Sequence, residues 1–191
     1  MSVETPSVST VLYDEHAAIG TVLGYLDGVT EAVAQGRPVD PGIFRDLLKF
    51  FTLFVGQCHH GKEEQILFPL LRHKSSSTDM VIARLEQEHG QGVELADAFA
   101  MAVAGYAAHG MDAAGPLVVA ARAYAPYLRR HIEYENEQLL AHVEELGSPG
   151  VLAAALSSFD LFEDEVMGVG VHEQLHRTID TLGPRVKANL S

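Results

Sequence analysis

The amino-acid sequence predicts an all-α protein, an antiparallel up-down four-helix bundle with a C-terminal extension of two short helices. Apolar residues recur at helical spacing along four long segments, and turns rich in Gly, Pro or Ser separate these segments. No segment alternates apolar and polar residues as a half-buried strand does. Because the connections are short, the four long helices pack most simply as antiparallel neighbours.

The first predicted helix has a start signal, an apolar face and a stop signal. Ser9 or Thr10 is suited to cap its first turn, because a hydroxyl oxygen can accept from a free backbone N–H group. Gly36 followed by Pro38 is suited to end it. The apolar residues between these signals recur at helical spacing: Leu12, Ile19, Leu23 and Leu26.

The second predicted helix is long. Asp40 before Pro41 is typical of a helix start, since the proline ring fits the first turn. The run Ser75-Ser76-Ser77 breaks the helical pattern at the other end. We predict one apolar face between these signals, formed by Phe44, Leu47, Phe51, Val55, Ile66 and Leu70.

Two further long helices complete the predicted bundle. The third runs from about Thr78 to the region of Gly110, and the fourth from about Asp112 to Leu146, where Gly147 is a stop signal. Their core-facing residues are predicted to be Ile82, Leu85, Val93 and Ala96 on the third helix, and Leu117, Tyr124, Tyr127, Leu128 and Leu139 on the fourth.

The chain after Pro149 is predicted to form the extension. Two shorter helical stretches, about Val151 to Val166 and Val171 to Leu182, are separated by the flexible Gly168-Val169-Gly170. We therefore predict a bundle over residues 1–147 and a helical extension over 148–191 that packs on it.

Composition excludes several classes of function. The formal charge is −13 and Lys and Arg form no cluster, which argues against DNA or RNA as partners. No apolar run approaches the roughly 20 residues that span a bilayer, and the N-terminus lacks the pattern of a signal peptide. The single cysteine, Cys58, suits a reducing compartment. We expect a cytoplasmic protein.

Histidines and glutamates occupy core-facing positions on all four helices. His16 shares the face of Leu12 and Ile19, and His59 with Glu63 lies one turn apart on the second helix. A buried carboxylate is costly unless something positive pairs with it, and a metal ion would supply that charge.

The second half of the chain repeats this pattern with His89 on the third helix and His131 with Glu135 on the fourth. The separation from His16 to His59 nearly equals that from His89 to His131. Equal counts along antiparallel helices mean equal height, so the ligands converge on one layer. The predicted metal ligands are His16, His59, Glu63, His89, His131 and Glu135.

Four imidazoles and two carboxylates suit iron, with zinc and manganese as alternatives. If both glutamates bridge two metals and each metal takes two histidines, an oxo or hydroxo bridge makes each metal five-coordinate. Each metal then keeps an open position, where peroxide, oxygen or nitric oxide can bind. We therefore expect two non-haem iron ions with an oxo or hydroxo bridge.

The predicted ligands lie in four short motifs: Asp14-Glu15-His16, Cys58-His59-His60-Gly61-Lys62-Glu63-Glu64 with Leu67-Phe68-Pro69, Glu88-His89, and His131-Ile132-Glu133-Tyr134-Glu135-Asn136. In this order, the motifs resemble the first- to fourth-helix signatures of the hemerythrin-like family. The resemblance covers roughly Thr10 to Leu146 and implies iron ligation by the six residues above, with Glu63 and Glu135 as bridges.

The sequence departs from the oxygen-carrying hemerythrins. These have a second histidine one turn from the third-helix histidine, where this chain has Leu85 and Val93. They also have an aspartate five residues after the fourth-helix histidine, where this chain has Asn136. The pattern is closer to members that act in iron sensing, in repair of iron centres or in peroxide breakdown.

Two other metal sites are weaker alternatives. The string His172-Glu173-Gln174-Leu175-His176 matches the zinc metalloprotease helix, but a third ligand would have to come from upstream. A ferritin-like site needs Glu-x-x-His on two helices, and inside the bundle only Glu86 with His89 supplies it. The string in the extension is more simply a solvated helix face or an outer contact of the main site.

Several residues near the predicted ligands have secondary roles. Tyr127 is one turn before His131, so its hydroxyl is a candidate donor to a bridging oxygen or to peroxide; a packed core tyrosine is the equal alternative. His60 and Glu64 are rotated about 100° from the ligands, so we expect them nearer the helix boundary, orienting ligands rather than binding metal. Cys58 is expected to be structural, and Glu163-Asp164-Glu165 a solvated face.

Two classes of function fit these predictions. One is a redox-protective protein or enzyme, catalase-like for example, that consumes peroxide or handles nitric oxide or oxygen under oxidative or nitrosative stress. The other is sensing or storage of iron or oxygen without turnover. No output domain is recognisable in the sequence, which slightly favours the first class. The sequence does not identify a protein partner.

Overall fold

The computed structural model describes residues 7–146 and 148–190, and all regular structure in this part of the chain is helical. The predicted all-α class is thus confirmed. The long helices are α1 (Val8–Ala34), α2 (41–71), α3 (Ser76–His109), α4 (114–146), α5 (Pro149–Met167) and α6 (Val171–Leu190), and a short 3-10 turn, Gly110–Ala113, precedes α4.

Helix α1 begins earlier than predicted. Ser7 has an extended backbone and its Oγ accepts from the backbone N–H of Thr10 at 3.1 Å, so Ser7 is the cap. The predicted caps Ser9 and Thr10 are wrong, because Val8 is buried and already lies in the first turn. The predicted cap of α2 is confirmed, since Asp40 Oδ1 accepts from Gly42 N at 2.8 Å.

Helix α2 contains two π-helical segments, Phe51–His59 and Glu63–Leu67. In a π-helix each N–H bonds to the carbonyl five residues back, so each turn holds an extra residue. Beyond the first π-helical segment, the residues that face the core therefore lie one position later in the sequence than regular α-helical spacing predicts. The predicted Ile66 and Leu70 are only half-buried, whereas Leu67 and Leu71 are buried.

Helices α3 and α4 begin close to where they were predicted. Ser75 caps α3 through its Oγ. Helix α4 runs as Ala114–Tyr134, a π-helical segment Glu135–Leu139, and Leu140–Leu146. The predicted stop at Gly147 lies outside the described residues.

The layer of predicted ligands divides the interior into two apolar clusters. The first cluster contains Ile19, Val55, Phe99 and Leu128, and the second contains Leu12, Leu67, Leu85 and Leu139. Along α1 and α3 the chain passes from the second cluster to the first, since Leu12 precedes His16 and Leu85 precedes His89. Along α2 and α4 the order is reversed, with Val55 and Leu128 in the first cluster and Leu67 and Leu139 in the second. The direction of the chain through the layer therefore alternates from helix to helix.

Helix α3 departs from its predicted face at one residue. Val93 is 57% exposed, although its spacing from Leu85 indicated a core position. Val93 lies on the wall of a cavity of about 280 Å³ between α2, α3 and α4. The small residues around Val93 on α3 leave this space: Gly92, Ala96 and Ala100.

The last two helices both pack against the first two: α5 contacts α1 and α2, and α6 contacts the same two helices. The turn between α5 and α6 needs glycine at two positions, because Gly168 and Gly170 have positive φ values of 91° and 77°. Helix α6 continues to Leu190, so the predicted end at Leu182 is wrong. Leu182 and Val186 on either side of Pro184 are buried, and this packing outweighs the missing proline N–H.

No helix in the described part of the chain combines the length and apolar character needed to cross a membrane.

Candidate metal centre

The structure brings the six predicted ligand side chains into one buried layer. Each of them is at most 4% exposed. Ligand atoms of His16, His59, Glu63 and Glu135 all lie within 4.8 Å of one another, and this set is completely buried. His89 lies close to both carboxylates, and His131 lies close to that of Glu135.

Glu135 faces two pairs of imidazoles with its two oxygens. Its Oε2 lies 3.2 Å from Nε2 of His16 and 3.7 Å from Nε2 of His59. Its Oε1 lies 2.9 Å from Nε2 of His131 and 3.6 Å from Nε2 of His89. One oxygen toward each histidine pair is the orientation of a carboxylate that bridges two metal ions.

Glu63 has the same orientation. Its Oε1 lies 3.9 Å from Nε2 of His59, and its Oε2 lies 3.4 Å from Nε2 of His89. All four carboxylate oxygens of Glu63 and Glu135 are buried and have no hydrogen-bond partner among the residues that the structure describes. Buried carboxylates at such positions require compensating positive charge. Atoms bound at about 2.0–2.2 Å to one metal lie roughly 3 to 4 Å apart, so these distances fit metal ligands.

The four imidazoles are held by their other ring nitrogen. Each Nδ1 has an oxygen acceptor within hydrogen-bond distance, so in the neutral form of each imidazole the proton is on Nδ1 and the lone pair is on Nε2, toward the layer. The pairs are His16 with Asn136 at 2.7 Å, His59 with Glu15 at 2.8 Å, His89 with Glu64 at 2.7 Å, and His131 with Glu88 at 2.9 Å.

Comparison with protein families agrees with this geometry. The model of the hemerythrin HHE cation-binding domain matches residues 7–143. The chain belongs to this family. No curated protein and no solved structure matches the chain. The ligand layer and all four orienting residues lie within the matched part of this hemerythrin HHE domain, whereas α5 and α6 follow it.

The orienting residues of the hemerythrin HHE layer follow one pattern. Each is the sequence neighbour of a predicted ligand, yet its hydrogen bond goes to a histidine on another helix. Glu64 was predicted as an orienting residue, and the structure places it against His89. Glu15, Glu88 and Asn136 were not predicted in this role, although a polar residue next to a core ligand in sequence is a usable signal.

His60 also reaches the layer. Its ring stacks on that of His89 at 4.0 Å and meets that of His131 edge-on at 5.3 Å. Ligand atoms of these three residues lie within 4.8 Å of one another, and the Nε2 of His60 is buried without a partner. His60 is half-buried, which fits its predicted place near the helix boundary, but the contact of its ring with the layer was not predicted. The π-helical segments on either side of His60 change the angular relation that the prediction assumed.

The electrostatics of the layer differ between its histidines. Burial opposes protonation, but Glu63 and Glu135 raise the pKa of His59 to about 10. Burial also opposes protonation of His131, but Glu135 raises its pKa to about 9. Burial, followed by the neighbouring His89, lowers the pKa of His60 well below its ordinary value, so His60 is neutral. A metal ion therefore competes with protons in this layer, and its binding releases them.

Tyr127 does not extend its hydroxyl over the layer. The hydroxyl donates to the backbone oxygen of Glu88 at 2.7 Å and lies 3.2 Å from Gln91 Oε1. Its proton is therefore already in a hydrogen bond to an acceptor on α3. The ring is half-buried and lines the cavity between α2, α3 and α4. His60 and His131 line the same cavity, which therefore extends from solvent to the layer.

The ferritin-like alternative does not fit the structure. Glu86 is 45% exposed and pairs with Arg72 on the surface, so its carboxylate points away from the layer. Glu173, the other glutamate with the required spacing, is exposed on α6. Neither glutamate can join His89 at the site.

In the described part of the chain, the zinc-protease alternative has no third ligand for its histidine pair. The Nε2 atoms of His172 and His176 lie 3.0 Å apart. The side chains whose ligand atoms surround His172 closely enough to share a metal ion with it are Cys58 and Glu163, and His176 is not among them. Nδ1 of His172 lies 3.4 Å from the Cys58 sulfur and 3.4 Å from Glu163 Oε1. The ammonium of Lys62, 2.7 Å from the same Glu163 oxygen, already supplies positive charge there.

The other predictions near Cys58 have mixed outcomes. Cys58 is buried, and burial raises the pKa of its thiol to about 12, which agrees with a structural role. Glu163 was predicted on a solvated face, and this is wrong: its carboxylate is 18% exposed and binds Lys62. Asp164 and Glu165 are exposed as predicted.

Proposed function

We propose that this protein is a non-haem di-iron protein that binds and reacts with a small oxidant (peroxide, oxygen or nitric oxide), and that it protects against oxidative or nitrosative stress. The observation that carries the proposal is the orientation of Glu63 and Glu135, each with one oxygen toward His59 and the other toward His89. Two metal ions between these pairs would satisfy four buried oxygens that otherwise lack partners.

The proposed ligands of the first metal are His16 and His59. Those of the second are His89 and His131, with His60 as a third imidazole, since one of its ring nitrogens lies within 4.8 Å of ligand atoms of both residues. Glu63 and Glu135 would each bind both metals. His60 would thus provide, from α2, a fifth imidazole that α3 does not provide at Leu85 or Val93.

Iron is the proposed metal because imidazole and carboxylate ligands suit it and because the family binds cations. Bound iron would supply the electrons and the binding position for reduction of an oxidant. The protein excludes bulk water from the layer with apolar clusters on both sides, and its cavity provides a route to His60 and His131 for a small molecule.

Two broader features are part of this proposal. The alternating direction of α1 to α4 through the layer supports an antiparallel four-helix bundle over residues 1–147, with the extension over 148–191. A single cysteine suits a reducing compartment, and we propose the cytoplasm.

The test is peroxide consumption and oxygen evolution by the iron-loaded protein. His59→Ala should abolish the iron-dependent rate because it removes a ligand, whereas the control His109→Ala, at an exposed histidine, should leave it unchanged. A protein that binds two irons but consumes neither peroxide nor nitric oxide would favour the sensing or storage function. A rate that survives in His59→Ala would overturn the assignment of the site.

A further inference from the structure

A series of buried charged side chains connects the extension to one proposed ligand. Lys62 is 0% exposed, and its ammonium contacts Glu15 Oε1. The other oxygen of Glu15 accepts from Nδ1 of His59 at 2.8 Å. The ammonium also donates to Oε1 of Glu163, on α5, at 2.7 Å. His59 is therefore joined to the extension through Glu15, Lys62 and Glu163.

Helix α5 also packs tightly against the turn of α2 that holds the ligands. A Cβ atom on Gly61 would lie 2.5 Å from Cζ of Phe162, so only glycine allows this approach. Phe162 and Glu163 are neighbours in sequence: one packs on Gly61, and the other binds Lys62. The turn between His59 and Glu63 is thus held by shape and by charge.

The ammonium of Lys62 needs both carboxylates. Burial of a charge is costly, and the two carboxylates within ion-pair distance of the ammonium, those of Glu15 and Glu163, offset this cost. If Glu163 lost its charge, Lys62 would depend on Glu15 alone. Glu15 would then be drawn from His59, and a carboxylate that accepts from a ligand imidazole governs how strongly that ligand donates to a metal.

We propose that Glu163 is a positioning residue of the metal centre, which acts on His59 through Lys62 and Glu15. The inference rests on the proposed di-iron function, since His59 must bind iron for this effect to exist. Glu163 lies beyond residues 7–143, the part matched by the family model. The extension would therefore set the redox behaviour of a site in which it supplies no ligand.

The two charges predict shifts of opposite sign. Net charge and hydrogen bonds around a metal centre set its reduction potential. Glu163→Gln removes a negative charge and should raise the midpoint potential of the iron centre. Lys62→Met removes a positive charge and should lower it. A purely structural role for this network would not produce opposite signs.

The experiment is a redox titration of the iron-loaded full chain after the iron content of each variant has been measured. Glu165→Gln, an exposed glutamate on the same helix, is the matched control and should titrate as the wild type does. A higher potential for Glu163→Gln than for Glu165→Gln supports the inference. Equal potentials at full iron content overturn it and leave the di-iron function intact, whereas a wild type without iron overturns both.

Lys62→Met removes the partner of two carboxylates and carries a risk of misfolding. Glu163→Gln keeps the shape of the side chain and its acceptor oxygen, so it decides the question alone if Lys62→Met does not fold. If Lys62→Met folds, a potential that moves in the same direction as in Glu163→Gln also overturns the inference.

Discussion

The carboxylate of Glu88 offers a sharp test of how the layer holds its histidines. Its Oε2 accepts from Nδ1 of His131 at 2.9 Å, and its side chain is 17% exposed. Loss of such an outer hydrogen bond typically costs about 10- to 100-fold in metal affinity, or roughly 1.4 to 2.8 kcal/mol. We expect Glu88→Ala to weaken iron binding by this amount.

Glu86 is the matched control, because it lies on the same helix two residues away and faces solvent. Its pair with Arg72 is exposed on both sides, so Glu86→Ala should cost less than about 1 kcal/mol of stability and nothing in iron affinity. Glu88→Gln should fall between wild type and Glu88→Ala, since its amide oxygen can still accept from His131.

The assay is competition for ferrous iron with a chelator at one fixed pH, since protons compete with metal at this site. Denaturant unfolding of each metal-free variant separates lost affinity from lost fold. Equal affinities of wild type and Glu88→Ala would refute the role of Glu88. A weakened Glu86→Ala would instead support ligation of the ferritin type.

Three further predictions concern packing, a hydroxyl and acid stability. Gly61→Ala should destabilise the protein by about 1 to 3 kcal/mol because Phe162 must move. Gly24 in α1 has open space around it, so Gly24→Ala should stabilise the protein by roughly 0.5 to 1 kcal/mol. The midpoint temperatures of thermal unfolding of the two variants test this difference. Tyr127→Phe should cost about 1 kcal/mol in denaturant unfolding and leave the peroxide rate unchanged; a tenfold slower rate would restore the catalytic hypothesis. Burial opposes ionisation of Glu15, but its partners His59 and Lys62 lower its pKa from 4.5 to about 2. The ionised carboxylate therefore stabilises the folded state by about 3 kcal/mol above pH 4.5, and this contribution is lost as the pH falls toward 2. Unfolding of metal-free wild type and Glu15→Gln at several pH values should show their difference shrinking over this range, and a constant difference would contradict it.

The fold class and the convergence of the six side chains were predictable because both depend on helical spacing. A histidine such as His16, placed between Leu12 and Ile19, must face the core if the helix is regular. The matching separations in the two halves of the chain then indicated a common height. The structure brings these side chains together as that reasoning expected.

The contact of His60 with the layer was not predictable from regular helical spacing. The prediction assumed an α-helix throughout α2, but two π-helical segments surround His60. Such segments change the phase of every later residue, which is also why Leu67 replaces Ile66 in the core. Nothing in the local composition around Gly56 or Gly61 signalled them.

Contacts between distant parts of the chain were the other limit. Glu163 stands in an acidic run, which by itself indicates solvent exposure. Its partner Lys62 lies 101 residues earlier, in a different helix. Likewise, Val93 has the spacing of a core residue, but the space opposite it is left empty by small side chains.

The central claim is that Glu63 and Glu135 bridge two iron ions. Metal content by mass spectrometry, on protein purified without added metal, tests this most directly when combined with a near-ultraviolet absorption spectrum. The account predicts two irons per chain, an absorption band typical of an oxo-bridged pair, and loss of both in His59→Ala. Protein without metal, or one zinc ion per chain that is lost in His172→Ala, would contradict it.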